Sequence, residues 1–361
     1  MSTAPTTAAP TVEEIEAFTH RFAGDLGAVA HAATVVLGDK LGLYKALATT
    51  GPSTPDEFAA ATGCDSRYLR EWLLAQAASG YANYDASTGR FFLDGAQAAC
   101  LADDTAPTFL AGGMAVVSSM HRDEDAVRRA FSTGEGVGWH QHHHDLFIGT
   151  ERFFRPGYAA NLTTSWIPAI AGLDTALERG IRVADVGCGH GSSTILMAQA
   201  YPTCEFVGYD YHAPSIDAAR IRAAEAGVED RVRFEVASAA DYPGQGFGLV
   251  CVFDALHDMG DPTAAAAHIR ASLADDGVFL LVEPNAHDQV QDNFNPVGRI
   301  FYSASTFVCT PASRSQGGAQ AACLGAQAGE ATLRSVLTDA GFTSIRRATE
   351  TPFNMVLDIR P

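Results

Sequence analysis

The stretch Val183-Ala184-Asp185-Val186-Gly187-Cys188-Gly189-His190-Gly191-Ser192-Ser193 decides the fold of this chain. An apolar strand pattern leads into three glycines at alternate positions, and an apolar helical pattern, Thr194–Ala198, follows. The next apolar run, Phe206–Tyr209, ends on Asp210. A strand, a tight glycine turn, a helix and an acid after the following strand build one end of a nucleoside-binding crevice, in which the acid can hold ribose hydroxyls.

The spacing of the glycines indicates which ligand the crevice takes. A dinucleotide fingerprint reads G-x-G-x-x-G, whereas this chain has D-x-G-x-G-x-G with the acid before the turn. This pattern resembles the first motif of the class I S-adenosylmethionine-dependent methyltransferases. The resemblance implies S-adenosylmethionine as cofactor. It places the amino acid end of the cofactor at Asp185 and at the backbone of Gly187, Gly189 and Gly191, and the ribose at Asp210.

Adenine recognition is less defined by the sequence. Methyltransferases of this class usually carry an acid beside the adenine amine after the third strand, but here the segment reads Ala237-Ser238-Ala239-Ala240-Asp241. The Ser238 side chain, the Ala239 backbone and Asp241 are all open as adenine contacts. Tyr211 and Asp254 complete the predicted cofactor site.

From Arg182 onward, strand and helix patterns alternate. The predicted strands are Arg182–Val186, Glu205–Asp210, Val232–Val236, Leu249–Phe253, Val278–Glu283, Ser344–Glu350 and Asn354–Ile359. The predicted helices are Thr194–Ala200, Ser215–Ala226, Pro262–Leu273 and Glu330–Ala340. Such alternation predicts an α/β fold with a doubly wound, mostly parallel, seven-stranded Rossmann-like sheet.

The N-terminal part has a different pattern. It predicts a winged-helix domain. The predicted elements are a long helix over Val12–Ala48, a short helix that begins after Ser53 or Thr54, a second short helix over Arg67–Ser79, and a hairpin over Tyr81–Leu93. Residues 51–95 hold three arginines against six acids, the wrong sign for binding nucleic acid. The segment resembles the N-terminal dimerisation domain of small-molecule O-methyltransferases, which implies a homodimer formed through this domain.

The chain has 361 residues and a net charge of −18, which argues against nucleic acid as a partner. The seven cysteines are scattered without a C-x-x-C pair, and no apolar run is long enough to span a bilayer. We expect a cytoplasmic protein with neither a nucleic-acid nor a membrane partner. The predicted domains are a disordered tail (1–12), a winged-helix dimerisation domain (13–100), a helical connector and pocket roof (101–175) and a Rossmann-like methyltransferase domain (176–361).

The fourth predicted strand leads into Leu256-His257-Asp258-Met259-Gly260-Asp261. This run resembles the His-Asp-Trp-Ser-Asp block of the O-methyltransferases, although Met259 replaces the tryptophan. The resemblance implies that His257 is the general base and that Glu283 orients it. Imidazole suits this role because its pKa of about 6.5 lets it take a hydroxyl proton near neutral pH. The alternative is a structural histidine in an enzyme that acts by proximity alone.

A second constellation is Trp139-His140-Gln141-His142-His143-His144-Asp145. It is open to three interpretations: a metal site, an acceptor-pocket wall, or solvated and packing histidines. We predict no metal and assign His140 and His142 to the acceptor pocket, together with Phe154, Tyr158 and Tyr302. The helix after Tyr158 is predicted over Ala159–Trp166, and the long connection Asn285–Gln327 is expected to form the remaining wall.

These observations predict methyl transfer from S-adenosylmethionine to a small-molecule acceptor, most simply to a hydroxyl of a metabolite. The alternatives within the class are nitrogen, sulfur or carbon as the acceptor atom. A non-catalytic ligand-binding or regulatory protein that retains the fold is a further alternative. A nicotinamide oxidoreductase is disfavoured because the glycine spacing differs from the dinucleotide fingerprint.

Overall fold

The computed structural model describes residues 9–361, so the predicted tail (1–12) lies mostly outside the described residues. The chain forms two compact units, one ending at Ser118 and the other covering Ser119–Pro361. The division falls within a helix, Ala111–Arg122. Each unit therefore takes up part of the segment over 101–175 that the sequence assigns to a connector.

The first unit begins with helix α1 (Val12–Lys40). The Thr11 hydroxyl accepts from the Glu14 backbone N–H, and the Glu14 carboxylate accepts from the Thr11 N–H, so a reciprocal cap starts the helix. The prediction of one helix through Ala48 was wrong. Gly42 adopts φ 67°, a left-handed conformation that ends α1, and a separate helix α2 (Leu43–Thr50) follows.

A winged-helix motif completes most of this unit, as predicted. Its further elements are α3 (Pro55–Thr62), α4 (Ser66–Ala78), and the antiparallel strands β1 (Asn83–Asp85) and β2 (Arg90–Phe92). Its core is formed by buried apolar side chains that include Leu47, Phe58 and Trp72. Two of the three arginines of this region are neutralised by carboxylates, since Arg67 pairs with Glu71 and Arg90 with Glu57.

Helices connect this motif to the sheet. They are α5 (Gly95–Leu101), α6 (Ala111–Arg122), α7 (Glu124–Thr133), α8 (His144–Asn161) and α9 (Leu173–Arg179). Helix α8 continues through a π-helical turn, Leu162–Trp166. The prediction of a helix starting at Ala159 was therefore wrong, because the helix already starts at His144. Phe154 and Tyr158 consequently lie on a helix and not in the segment before one.

The second unit is built on a sheet of seven strands among the described residues, in the order β5-β4-β3-β6-β7-β9-β8. Its strands are β3 (Arg182–Val186), β4 (Glu205–Asp210), β5 (Val232–Val236), β6 (Phe247–Phe253), β7 (Leu273–Pro284), β8 (Ser344–Glu350) and β9 (Asn354–Arg360). The flanking helices are α10 (Ser192–Ala200), α11 (Ala213–Glu225), α12 (Pro262–Ser272) and α15 (Gly329–Asp339). The predicted doubly wound, mostly parallel sheet is confirmed, and only β9 pairs antiparallel with its two neighbours in this described part.

The strand order positions the ligand site. The chain moves from β3 outward to β4 and β5, and then returns to the other side of β3 with β6 and β7. At such a reversal the connections after β3 and β6 leave in opposite directions, so a crevice opens beyond the carboxyl ends of these strands. The two faces of the sheet are covered by separate apolar clusters, with Leu249 in one and Val250 in the other.

The long connection after β7 contains more structure than the sequence indicates. It forms α13 (Pro296–Ala304), a π-helical turn Ser305–Cys309, and α14 (Thr310–Gly317). No single helix of residues 9–361 is long and apolar enough to cross a membrane. The pair α1–α2, bent by 70°, meets the requirements of length and composition only when the two helices are taken together.

Candidate active site

The glycine turn after β3 forms the floor of a cavity of about 570 Å³. Gly187 (φ 77°) and Gly191 (φ 78°) both adopt left-handed conformations. A Cβ atom on Gly191 would lie 2.5 Å from the ring of Phe234, so no side chain fits there. The turn therefore lets a ligand approach the backbone closely. Gly187 and Gly189 of this turn line the cavity, whereas Gly191 packs against Phe234.

Asp210 lies at the carboxyl end of β4 and faces the cavity. Its Oδ2 accepts from the Gly189 N–H at 3.0 Å and its Oδ1 accepts from the His212 N–H at 2.8 Å. Burial raises the pKa of Asp210, although these two N–H donors oppose the rise. Two backbone contacts thus fix the carboxylate in place and leave lone pairs on both oxygens for hydroxyl donors.

Asp185 lies behind the turn and does not line the cavity. Its Oδ2 accepts from the hydroxyls of Ser193 and Thr194, both at 2.6 Å, and so anchors the start of α10. Burial raises the pKa of Asp185 to about 6, although the two hydroxyl donors oppose the rise. Asp185 therefore holds the first turn of α10 in place, and its direct contact with a ligand stays a prediction.

The three candidates for contact with adenine differ in whether they line the cavity. Ser238 and Ala239 line the cavity, whereas Asp241 is exposed and lies outside it. Tyr211 lines the cavity as well. The Phe147 ring stacks on the His212 ring with centroids 4.5 Å apart, which supplies a flat wall that the sequence did not indicate.

His257 and Glu283 come together as predicted for a base and its orienting acid. The Nδ1 atom of His257 lies 2.5 Å from Oε2 of Glu283, and the other carboxylate oxygen accepts from the Leu256 N–H at 2.9 Å. Both side chains are buried, and neither lines the cavity. Burial alone lowers the pKa of His257, but the carboxylates of Glu283 and Asp258 raise it well above 6.5.

Asp254 lines the cavity between the glycine turn and this pair. It adopts φ 50°, an uncommon conformation for a residue with a side chain. The Tyr158 hydroxyl donates to Oδ2 at 3.1 Å, and the Asn354 amide donates to Oδ1 at 2.8 Å. Burial raises the pKa of Asp254 to about 8, and the nearby Glu283 carboxylate adds to the rise.

The predicted acceptor residues are not all brought together. Phe154 and Tyr158 line the cavity, whereas His140, His142 and Tyr302 do not. His140 is exposed and meets the Tyr211 ring edge-on, with ring centroids 6.4 Å apart, and Tyr302 on α13 contacts the Phe294 ring.

The other histidines of the 139–145 segment have structural partners. The Nδ1 atom of buried His142 lies 2.9 Å from Asp123 Oδ2. The Arg122 guanidinium lies 2.8 Å from His143 Nε2 and 3.0 Å from Asp145 Oδ2. A metal ion at His143, His144 and Asp145 would meet this fixed positive charge.

Three residues to which the sequence analysis assigned no role of their own, Trp139, Asp258 and Cys309, reach the His257 region. Trp139 donates its indole N–H to Asp258 Oδ2 at 3.0 Å, and both residues line the cavity. Cys309, in the π-helical turn before α14, lies against both His257 and Asp258. Asp258 could have been found, because it follows His257 directly in the motif. Nothing in the sequence around Cys309 or Trp139 indicates their positions.

The strand order, the glycine turn and an acid beside the cavity define a nucleoside-binding methyltransferase fold. A methyltransferase-domain model matches residues 177–341, and a model of the Rv2258c-like winged HTH domain matches residues 29–103. Residues 177–341 thus form a methyltransferase domain that takes S-adenosylmethionine, and residues 29–103 form a winged-helix domain. The cavity, the close backbone approach at the turn and the Asp210 carboxylate suit this cofactor.

Comparison with individual proteins agrees with this assignment. The chain is 37% identical over 101 residues to 27-O-demethylrifamycin SV methyltransferase of Amycolatopsis mediterranei, covering 27% of this chain and 36% of that protein. The curated relatives that it matches are covered over about half of their length or less. The fold resembles PigF, solved with SAH (TM-score 0.71, 18% identity, 98% and 100% of the two chains). It also resembles mitomycin 7-O-methyltransferase (TM-score 0.67, 17% identity, 96% and 99%).

Proposed function

We propose that this protein transfers a methyl group from S-adenosylmethionine to a hydroxyl of a small metabolite. The observation that carries the proposal is the buried His257–Glu283 pair at the edge of the sheet where the cavity opens. When bound, the cofactor supplies an electrophilic methyl group on a sulfonium. The names of the relatives that methylate oxygen in mitomycin and rifamycin support oxygen as the acceptor atom.

Residues at different positions of the site have different roles in the proposed reaction. Asp210 binds the ribose hydroxyls, Ser238 and Ala239 bind the adenine, and the glycine turn binds the amino acid end. Glu283 accepts the Nδ1 proton of His257, which leaves the lone pair on Nε2 to take the hydroxyl proton of the acceptor. Phe154, Tyr158 and Phe253 supply apolar walls that exclude water from the methyl-transfer region.

The route of the acceptor to His257 passes the wall formed by Trp139, Asp258, Met259 and Gln316, all of which line the cavity. His257 itself is 4% exposed, with Cys309 against it. The acceptor therefore has to displace the Cys309 side chain to reach Nε2. His140 and Tyr302 contribute to acceptor binding only where a bulky acceptor extends beyond the cavity, whereas His142 is buried against Asp123 and does not.

We also propose a homodimer, located in the cytoplasm and formed through the N-terminal unit. The support for the dimer is an apolar stripe on α1 at three- and four-residue spacing. It consists of exposed Ile15, Phe18, Phe22, Leu26 and Val29. Burial of such a stripe against a second copy of the helix removes apolar surface from water. The support for the location is that all seven cysteines are free thiols.

The proposed activity is tested by incubating the purified protein with S-adenosylmethionine and a panel of hydroxylated, aminated and thiol-bearing acceptors. Mass spectrometry of the products then identifies the methylated atom. Methylation of hydroxyl acceptors alone supports the proposal, and methylation only of nitrogen, sulfur or carbon contradicts it. If the cofactor binds by calorimetry and no acceptor is methylated, a non-catalytic role is favoured.

A further inference from the structure

The loop after β5 lacks the acid that methyltransferases of this class usually place beside the adenine amine. Ser238 stands at that position, and its hydroxyl oxygen accepts from the Ala240 N–H at 3.2 Å. The Asp241 N–H donates to the Ser238 carbonyl at 3.2 Å, and the Asp241 side chain after this turn is exposed and lies outside the cavity. None of residues 237–241 therefore brings a carboxylate to the cavity.

Helix α12 packs along the end of the same loop. The Nε2 atom of His268 lies 2.8 Å from the Tyr242 carbonyl oxygen, and the two rings meet edge-on with centroids 4.5 Å apart. The Tyr242 hydroxyl lies 2.6 Å from the hydroxyl of Ser272, the last residue of α12. At the other end of this helix, its N-cap Asp261 and Ala265 in the next turn both line the cavity. The loop and the start of α12 thus border one cavity, and α12 supplies the carboxylate.

One oxygen of Asp261 is available to a ligand. Its Oδ1 accepts from the Ala264 N–H at 2.8 Å, which caps α12 and fixes the orientation of the carboxylate. Its Oδ2 receives no hydrogen bond from residues 9–361, and the residue is exposed where it lines the cavity. No lysine or arginine of this described part lines the cavity beside it. An oriented carboxylate oxygen of this kind suits an N–H donor on the ligand.

The direction of the cofactor places its base at this end of the cavity. Asp210, the proposed ribose contact, is in register with Val236 at the end of β5, and its carbonyl accepts from the Ala237 N–H at 3.0 Å. A base attached to a ribose at Asp210 therefore meets the loop after β5. The amino acid end of the cofactor lies on the other side of the ribose, at the glycine turn, so the donor nearest to the loop is the adenine amine.

We propose that Asp261 takes the place of the missing acid and recognises the adenine of S-adenosylmethionine. Its Oδ2 accepts a hydrogen bond from the exocyclic amine of the base. The small side chains of Ala239 and Ala265 leave room for the flat ring in the cavity that they line. The proposal rests on the proposed function for its cofactor alone and holds for any methyl acceptor.

The alternative role of Asp261 is that of a helix cap without a ligand. In that case the carboxylate serves the Ala264 N–H alone, and its replacement changes the binding of every adenosine analogue by the same factor. Two nucleosides that differ only in the base therefore separate a contact with the adenine from a structural role.

The test measures Kd by isothermal titration calorimetry with the full-length protein. S-adenosylhomocysteine carries the 6-amine, whereas S-inosylhomocysteine carries a 6-oxygen and a proton on N1. For the native protein we expect S-adenosylhomocysteine to bind about 10- to 100-fold more tightly, the effect of one hydrogen bond to a charged group. Equal affinities would overturn the proposal. Because N1 changes as well, the decisive quantity is the change of this preference in the variants.

The Asp261→Asn variant tests the residue. Asparagine is also a good N-cap, so its amide oxygen keeps the bond to the Ala264 N–H and its NH₂ faces the base. This NH₂ opposes the adenine amine but donates to the 6-oxygen of the inosine analogue. The preference for S-adenosylhomocysteine should therefore fall by about tenfold or more. Retention of the native preference in Asp261→Asn would overturn the proposal.

The two polar side chains of the loop provide matched controls. Asp241→Asn, at an exposed position outside the cavity, should keep the native preference. Ser238→Ala should change the affinities for both nucleosides by the same factor, because its hydroxyl oxygen already accepts from the Ala240 N–H. Loss of the preference in either control, with the native preference kept in Asp261→Asn, would assign the amine to the loop and overturn the proposal.

Failure of this proposal and failure of the proposed function give different results. If the native protein binds neither nucleoside, both are overturned. If the preferences are as expected and no acceptor is methylated, Asp261 is supported as the adenine contact and the proposed function alone is overturned. If hydroxyl acceptors are methylated and Asp261→Asn keeps the native preference, the proposed function stands and the role of Asp261 is overturned.

Discussion

Glu283 Oε2 lies 2.5 Å from His257 Nδ1, although the two residues belong to different strand ends. The parallel pairing of β6 and β7 brings them together, since Phe253 is in register with Val282 and the Asp254 N–H donates to the Val282 carbonyl. The carboxyl ends of these two strands therefore coincide, and a residue just after β6 meets one near the end of β7. Both residues are buried, so the carboxylate acts on the imidazole with little screening by water.

Replacement of the proposed base should slow the reaction without affecting the cofactor. We expect His257→Ala to lower kcat by about 10²- to 10⁴-fold, the usual contribution of a positioned base. The affinity for S-adenosylhomocysteine, measured by calorimetry, should stay unchanged, because Asp210 and the glycine turn are untouched. His287→Ala, at an exposed histidine, is the control. Near-normal kcat in His257→Ala would leave proximity as the explanation of catalysis.

The pH dependence of kcat should report the environment of His257. This residue is coupled to the carboxylates of Glu283, Asp258 and Asp254 and to the Cys309 thiol. Burial lowers its pKa, but Glu283 and Asp258 raise it well above 6.5. Since only neutral imidazole accepts a proton, the rate should rise with pH, with a midpoint above 6.5.

The Glu283→Gln variant checks the cause of that shift. Removal of a carboxylate that stabilises the imidazolium lowers the pKa of His257, so the midpoint of the pH–rate profile should move to lower pH. The plateau rate should fall as well, because the imidazole is less well oriented. An unchanged midpoint would show that Glu283 does not act through His257.

The ribose contact should depend on Asp210. We expect Asp210→Ala to weaken the binding of S-adenosylhomocysteine by about 1.5–3 kcal/mol, the range for hydrogen bonds to a charged group. Asp241→Ala serves as the control, since Asp241 is exposed and outside the cavity. Isothermal titration calorimetry measures both. A loss of affinity in Asp241→Ala would indicate that Asp241 contacts the adenine.

Gly191 should be intolerant of any side chain. Gly191→Ala combines a left-handed residue with a Cβ only 2.5 Å from Phe234, so we expect a loss of about 2–5 kcal/mol in the free energy of unfolding. The control Gly227→Ala measures the cost of the left-handed conformation alone. Gly227 is also left-handed but has no atom within 4 Å of the added Cβ, and the loss should be about 1–2 kcal/mol. Equal losses in urea denaturation would argue against a clash.

The dimer should depend on the apolar stripe of α1. Ultracentrifugation of the native chain should give about 76 kDa, twice the mass of the 38.0 kDa chain. The Phe18→Glu, Phe22→Glu double variant should be a monomer, because charges replace exposed rings on that stripe. His20→Glu, on the opposite side of the helix, should remain dimeric. A native monomer at micromolar concentration would contradict the proposal.

The sequence by itself determined the sheet and the glycine turn beside the cavity. Strands such as Arg182–Val186 and Glu205–Asp210 were predicted with their observed bounds, because apolar runs that end in glycine or acid are local signals. Gly187, Gly189 and Asp210 follow from the same local pattern, since each is placed by the strand that it terminates. The winged-helix motif was also predictable from local signals, since two of its helices begin at capping residues, Thr54 and Asp65.

Only the tertiary structure decided the acceptor side. Trp139 and Asp258 are 119 positions apart in the chain, and Cys309 reaches them from a turn whose helices the sequence did not indicate. Their meeting depends on how the turn Trp139–Gln141, before α8, and the α13–α14 segment fold over the strand ends. The same packing removed His142 from the pocket and paired it with Asp123. Local patterns specify an element and its exposed or buried face, whereas the partner of a side chain on a long connection depends on the whole packed unit.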